Sequence, residues 1–535
     1  MNRATASPQA ANCEAPQLTA PQTPVQSGPG LLESSPAFVI LAIAAAACVN
    51  FADPDLWMHI LLGREMLSGG YIPPRNSFSY SGPVQPWHNH VWLAQLIFAF
   101  FYDSLGIIGL KVVKLLCVGV AVAGLAAGLS RTKASPSMRR IVLLAAAASI
   151  APYAQFRPQL FTIAMLSVLM AILAGEVYQG RARMWPLVPL FALWANLHGG
   201  FVVGLGALSV TSLFVGWREM GTGRRISRAC RIGAVTIACA MATLVNPFGF
   251  GLWDTVLHSV SHPFIRKFIV DWLSLPDIMI YEWHQSPLHE MEFVIPLVLF
   301  VAFLGAVVAV PDGEDAPLAA VAAIFIAAAI YSSRNVPLAM IALSIPLAHH
   351  AGLIMEKRRQ SGKERSKAAP SRLLTVVFPL EAALILLILG GEFSTRLRTW
   401  NPVPKGAVQY MTDHGLHGNI LNKLSWGAYL IWHGGPDDRI FVDGRCEVVY
   451  PDSVLQEYMA FLYAWPGGNR LLDRYPHDFV LINPQGGAYR IMAGDRRWKI
   501  IYRDAVSVLF ARTGTAVTPE IDSRPGGARA VYWFP

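Results

Sequence analysis

The stretch "FADPDLWMHILLGREM", residues 51 to 66, decides how this chain is read. It follows an apolar run that opens near Ala37 and places Asp53, Asp55 and His59 within seven positions. Carboxylates and an imidazole at the end of an apolar span cost free energy unless they meet water, a cation, a partner or a substrate. One aspartate suffices to cap the following "LWMHILLGREML" helix and complement its dipole, so a second calls for another explanation. A carboxylate pair can ligate Mg²⁺ or Mn²⁺ through oxygen. Alternatively one member, its pKa raised by the other, can serve as general base. His59 follows Asp55 by four, on the same helical face, as an interfacial histidine or a substrate contact.

The rest of the chain supplies the setting. Of its 535 residues 54% are hydrophobic and only 14% charged, against about 25% charged in soluble domains. This is the composition of an α-helical polytopic membrane protein. The net charge of +9 resides in short loops between apolar runs. That is a topology signal and excludes nucleic acid as the partner. Residues 1 to 35, rich in Pro, Ala, Gln, Thr and Ser, read as a disordered cytoplasmic tail and not as a cleavable signal. The six cysteines form no CxxC pair, and four lie in or beside apolar runs, so they read as core residues. Cys446 is the one cysteine placed outside beyond the spans, which leaves no internal disulfide there.

Apolar runs begin near Ala37, Leu110, Ile141, Leu160, Pro186, Phe201, Ile232, Phe293, Leu318, Val336 and Leu373, which predicts about 11 spans. The cations Arg131, Lys133, Arg139 and Arg140, then Arg181 and Arg183, then Arg218, Arg224, Arg225, Arg228 and Arg231, then Lys357, Arg358, Arg359, Lys363, Arg365, Lys367 and Arg372 fall on one side if the N-terminus is inside. The acidic "PDGEDA", 311 to 316, is the inner loop without such support. This parity requires that "VWLAQLIFAFFYDSLG", 91 to 106, lie along the outer interface, with Phe98, Phe101 and Tyr102 at the lipid boundary. The stretch 51 to 66 then faces outward within an outer loop 52 to 109. So do "PWHNHVW" (86–92), "AQFRPQ" (154–159), "NLHGG" (196–200), "NPFG" (246–249) and "SSRN" (332–335).

Polar residues at span ends thus converge on one face. "WHNH" supplies His88 and His90, which with the aspartates make a weak zinc set and a better set of hydrogen-bond partners for a substrate. Arg157 stands before Pro158 at a helix entry, where it suits a phosphate or snorkels to the interface. His198 precedes two glycines, and Arg334 ends a span on the same side. Arg266 and Lys267 lie in the outer loop 247 to 290. An outward set of cations suits an anionic lipid carrier. From about residue 392 to 535 the pattern changes to a small α/β unit on the outer side: helix "KGAVQYMTDHG", strands "GNILN" and "RIFVDGR", helix "DSVLQEYMAFL", strand "FVLINP", helix "AYRIMAGD", then a hairpin-like pair "WKIIYRD" and "VSVLFAR". "DGR" follows a strand, so Asp443 and Arg445 are either a ligand-binding loop or a turn with its own salt bridge.

At this point the chain resembles the GT-C glycosyltransferases. "ADPDLWMHILLGREMLSGGYIPPRNSFSY" with "PWHNHVWLAQ" looks like an uncharacterised bacterial branch whose members carry DPDLWWH-type and NHEWL-type motifs. "RPQLF", "NLHGGF", "NPFG" and "WGAYLIW…IFVDGR" look like further blocks of that branch, over roughly residues 36 to 510. The resemblance implies a GT-C-like transmembrane domain over 36 to 391 and an extracytoplasmic α/β domain after it, in a bacterial cytoplasmic membrane. It implies transfer of a sugar from a polyprenyl-phosphate carrier to an envelope glycan, lipid or protein. It carries a role as base or metal ligand onto Asp53 and Asp55 alone. "SWGAYLIW" is weakly similar to the acceptor-recognition motif of oligosaccharyltransferase subunits, but Ala428 follows Gly427 where that motif has an aspartate. That departure speaks against a peptide acceptor.

The resulting expectation is an inverting membrane glycosyltransferase. Asp53 and Asp55 are its catalytic residues and tentative Mg²⁺ or Mn²⁺ ligands, and His59, His88, His90, Arg157, His198, Arg334, Asp443 and Arg445 contact substrate. Two rivals remain: a transporter or flippase of a lipid-linked substrate, and a non-enzymatic scaffold for envelope assembly. A transport pathway calls for ionisable groups at mid-span, and a scaffold tolerates loss of both aspartates.

Overall fold

In lipid a chain must satisfy its own N–H and C=O groups, so apolar runs become helices. The computed structural model describes residues 37–82, 87–180, 182–221, 223, 226–285, 291–361, 397–435, 437–515, 520–521 and 531–534. A helix stands at each of the first ten predicted runs. In chain order the first half comprises α1 (Ala37–Ala47), β1 (Phe51–Ala52), α2 (Leu56–Gly69), α3 (Trp92–Leu105), α4 (Ile107–Leu129), α5 (Pro136–Ile150), α6 (Gln159–Gln179), α7 (Leu187–Leu197) and α8 (Phe201–Gly221). There follow α9 (Ser227–Ala242), α10 (Gly251–Ser261), α11 (Pro263–Phe268), α12 (Leu275–Gln285), α13 (Met291–Ala309), α14 (Ala316–Tyr331) and α15 (Val336–Gln360). Among the described residues four stretches are long and apolar enough to cross a membrane: Ile107–Leu129, Gln159–Gln179, Phe201–Gly221 and Ser333–Gln360. The predicted tail, the eleventh run near Leu373, the side chain of Arg266, and Arg181, Arg224, Arg225, Lys363, Arg365, Lys367 and Arg372 lie outside the described residues.

The segment 91 to 106 forms a helix of its own. Gly106 ends α3 with φ +62, a left-handed conformation that glycine takes without strain, and the chain turns before α4. At 14 residues α3 is about 21 Å long, short of a hydrocarbon core of about 30 Å. The expected lipid face is corrected. Phe98 is fully buried between His59 and Phe161, and Phe100 is the exposed aromatic. Tyr102 packs on Trp432 and Phe534, residues more than three hundred positions away that cover the face expected to meet lipid.

The C-terminal part continues with β2 (Leu397–Val403), α16 (Lys405–Asp413), β3 (Asn419–Asn422), α17 (Gly427–His433), β4 (Arg439–Ile440), α18 (Cys446–Val449), α19 (Asp452–Leu462) and α20 (Leu471–Arg474). It ends with β5 (Phe479–Ile482), α21 (Gly487–Gly494), β6 (Trp498–Arg503), β7 (Val508–Arg512), β8 (Glu520–Ile521) and β9 (Val531–Phe534). A mixed sheet runs in the order β4-β3-β5-β7-β6-β8. Its strands bury both faces by alternation: Val480 and Ile482 pack under α19 and α21, whereas Phe479 and Leu481 pack under α16 and α17. The expected antiparallel pairing of β6 with β7 is present. The strand predicted through Val442 stops at Ile440: Phe441 N–H still donates to Ile420 O (3.0 Å), and Asn422 Oδ1 accepts it as well (2.9 Å) together with Val442 N–H (3.3 Å), so a side chain ends the ladder.

The two halves are interwoven. Phe51 and Ala52 pair in parallel with Arg398 and Thr399, in a sheet ordered β1-β2-β9. The outer loop joins the edge of the large sheet, where Ile440 N–H donates to Phe78 O (3.0 Å) and Tyr80 N–H to Ile440 O (3.2 Å). Ala37–Pro535 accordingly forms one compact unit.

Candidate functional site

Three constraints fix the loop between α1 and α2. Lys114, buried in α4, donates to Ala47 O (2.9 Å), Val49 O (2.5 Å) and Asn50 Oδ1 (3.0 Å), binding the negative end of α1. The next two residues are locked into β1. Asp53 then turns the chain into α2, and its Oδ1 accepts Asp55 N–H at 2.9 Å. Asp53 thus closes the turn that leads into α2, and Asp55 takes the N-cap position that the sequence allows to either aspartate. Asp55 starts the helix, yet its side chain makes no capping bond.

Asp53 is fully buried and its other oxygen pairs with Arg157 Nε. Arg157 Nη1 pairs in turn with Asp271, which stands in a short 3₁₀ turn, Val270–Trp272. Burial opposes the charge on Asp271, and Arg157, aided by Arg334, outweighs it, so this carboxyl sits below its ordinary range. In the same turn the Trp272 ring lies under the Arg334 guanidinium, 4.2 Å away. One turn thus braces both arginines. The reading of the sequence named neither Asp271 nor Trp272, and the available signal was an acid–aromatic pair in a loop already placed outside.

Asp55 is only partly buried, and its carboxylate accepts no hydrogen bond from any described residue. Its carboxylate lies against Gly444, where an added Cβ would overlap both oxygens. Burial and the neighbouring Asp53 charge push the Asp55 carboxyl up to about 7, with Asp443 adding and Arg157 and Arg445 opposing. Asp443 is tied down, accepting from Arg445 Nε (2.9 Å), Arg445 Nη2 (2.5 Å) and Tyr450 OH (2.9 Å). Arg445 also donates to Asn76 Oδ1 (2.8 Å), while its buried Nη1 has no partner among the described residues. The "DGR" turn therefore has its own salt bridge and stands beside Asp55 as well.

His59, His90 and His198 form a cluster with Arg157 and Arg334. Burial lowers His59 to about 3 and His90 to about 4, and lowers His198 far below its ordinary value, with the two arginines contributing. All three are neutral at pH 7. His198 Nδ1 accepts Gly200 N–H (3.1 Å) and lies 2.8 Å from Thr162 Oγ1, so its proton is on Nε2. Gln95, 3.3 Å from His59 Nδ1 through Nε2, assigns His59 the same tautomer. His88 stands apart, bonded to Thr255 Oγ1 (3.1 Å) and packed on Phe248.

A divalent cation of the expected kind needs about six oxygen ligands. Both oxygens of Asp53 are engaged, Asp55 is the one open carboxylate of the pair, and among the described residues no three His, Cys, Asp or Glu side chains are placed to hold a metal. As arranged, these residues do not fit a resident Mg²⁺ or Mn²⁺. The zinc set is not assembled either, since His88 turns toward Thr255.

The fold has solved counterparts. The oligosaccharyltransferase AglB from Archaeoglobus fulgidus, in complex with an inhibitory peptide and a dolichol-phosphate, is 11% identical over 90% of this chain and 74% of its own, with a TM-score of 0.52. The same enzyme tethered to an acceptor peptide containing the NVT sequon is 10% identical over 90% and 74%, also at 0.52. ArnT from Cupriavidus metallidurans bound to undecaprenyl phosphate, 13% identical over 90% and 98%, is a looser match at 0.43. This chain therefore shares the fold of the AglB structures: a helical part with membrane-spanning character followed by a C-terminal α/β part. No protein-family model matches the chain, and no curated protein matches it in sequence.

Proposed function

We propose that this protein is a GT-C-type glycosyltransferase that moves a sugar from a polyprenyl-phosphate carrier to an acceptor hydroxyl on the extracytoplasmic face. The observation that carries the reading is Asp55: an open carboxylate with its pKa pushed up to about 7, beside arginines and neutral histidines. A general base is most effective when its pKa lies near the working pH. The AglB fold, solved with a dolichol-phosphate and with an acceptor peptide, supports a lipid carrier. The missing acid at Ala428 still speaks against a peptide as acceptor here.

In the proposed step Asp55 takes the acceptor's proton as its oxygen bonds to the anomeric carbon. The carbon–oxygen bond to the carrier phosphate breaks from the opposite side, and its electron pair leaves on the phosphate. Asp53 holds Arg157 and supplies the negative charge that raises Asp55. Arg157 is already faced by two carboxylates; the leaving phosphate is held by the arginines together, with Nη1 of Arg445, which has no partner among the described residues, as a donor. His59, His90 and His198 hydrogen-bond the sugar without adding charge.

The pH dependence tests this directly. The base works only when ionised, so activity should stand near half its maximum at about pH 7, level off about a unit above, and fall toward tenfold per unit about a unit below. A rate flat from pH 5 to 8 would remove Asp55 from this role. Gly444→Ala should displace the Asp55 carboxylate while leaving the fold intact, lowering transfer by roughly 10²-fold, the scale of a 1 Å misplacement. Wild-type rates in that variant would show that the turn does not position Asp55. The proposed orientation has the N-terminus inside and the C-terminal part in the periplasmic space. Cysteines introduced at Ser130 and Gly514 should react from opposite sides of the membrane, and reaction from one side would refute it.

A further inference from the structure

A second site lies between α11 and α19, away from the aspartates. It is a cleft of about 280 Å³ lined by His262, Lys267, Phe268, Asp452, Gln456 and Trp465 among others, just under the size range of small-molecule sites, about 300 Å³ upward. Trp465 is 42% and Tyr463 49% exposed, large apolar surfaces on an outward loop. Their rings stack at 5.5 Å, and Phe268 stands 6.0 Å from Trp465. Between them Ala464 adopts φ +54, a conformation unfavourable for a residue with a Cβ, and this directs the two rings side by side.

The polar groups are arranged for a ligand as well. His262, 3% exposed, accepts Phe264 N–H on Nδ1 and so donates from Nε2 to Asp452 Oδ1 (2.6 Å). Asp452 lines the cleft with its side chain 60% exposed and its Oδ2 without a hydrogen bond among the described residues, and Gln456 and Lys267 are exposed there too. Aromatic faces beside a carboxylate, an amide and an ammonium match a molecule with apolar C–H faces and hydroxyl edges. A lipid tail has no use for these polar groups, and an anionic headgroup would be repelled by Asp452.

We infer that this cleft binds saccharide units of a glycan acceptor. The inference rests on the transfer reading and names its acceptor class. Both walls continue into the site: Lys267 precedes Asp271, partner of Arg157, by four residues, and Asp452 follows Arg445 by seven.

Binding can be read without any donor, so its failure is separate from failure of transfer. The full-length protein in nanodiscs is applied to an array of bacterial envelope glycans. The expected result is saturable binding to at least one glycan, weakened about tenfold or more by Trp465→Ala and also by Asp452→Asn. Absence of binding by the wild-type protein, or equal binding by both variants, would overturn the inference. A further measurement covers a role at the lipid surface. Brominated lipid should leave unchanged the fluorescence difference between wild type and Trp465→Phe, and strong quenching of that difference would place the ring in the bilayer and overturn the glycan site.

Discussion

Replacing Asp55 by Asn is expected to lower sugar transfer by roughly 10²-fold or more, the scale for loss of a general base. The variant should insert and fold normally. Asn begins a helix as well as Asp, and the Asp55 side chain caps nothing in the native protein. What it loses is the group that accepts a proton near pH 7. A resident metal makes a different prediction, because chelation would then abolish activity. With both Asp53 oxygens engaged, the wild-type rate should survive EDTA. Inhibition by EDTA would return a metal to the site.

Arg157→Met is expected to act on stability as well as rate. Asp53 is wholly buried and Arg157 is its counter-charge. Removing one partner of such a pair leaves an uncompensated buried charge and costs about 3 kcal/mol, the lower end for buried pairs because Arg157 is partly exposed. A lowered denaturation midpoint in detergent should show it. Adding Asp53→Asn should recover part of the loss, since the stranded charge goes too. Full stability of the single variant would mean that this pair does not hold the loop, and the argument for how Asp55 is placed would fail.

The helices were legible because each is specified by its own apolar run, and Gly106 marks the break that keeps α3 separate from α4. The acidic loop 311 to 316, an exception in the charge pattern, has a local cause: Asp312 pairs with His349 (2.8 Å) and Asp315 with His350 (3.0 Å), both in the middle of α15. Its charges serve side chains of the bundle and carry no topology signal. What remained hidden was non-local. The 3₁₀ turn at Asp271 and Trp272 meets Arg157 and Arg334 from distant positions, and Gly444 meets Asp55 across nearly four hundred residues. Phe98 was misplaced for the same reason, since its helical face alone does not reveal that Phe161 and His59 cover it. Single-residue chemistry pointed to Asp53 and Asp55, but the division of labour between them depends on which oxygen meets Arg157 and which carboxylate is left open.

The central claim is tested most directly in liposomes holding the protein, a polyprenyl-phosphate-linked sugar and an envelope extract as acceptor. Free polyprenyl phosphate and glycosylated product are measured together at pH 5 to 8. The account predicts that both appear in equal amounts in the wild type, decline below pH 7, and fall by roughly 10²-fold in the Asp55→Asn variant. Undiminished product from that variant at every pH would contradict it.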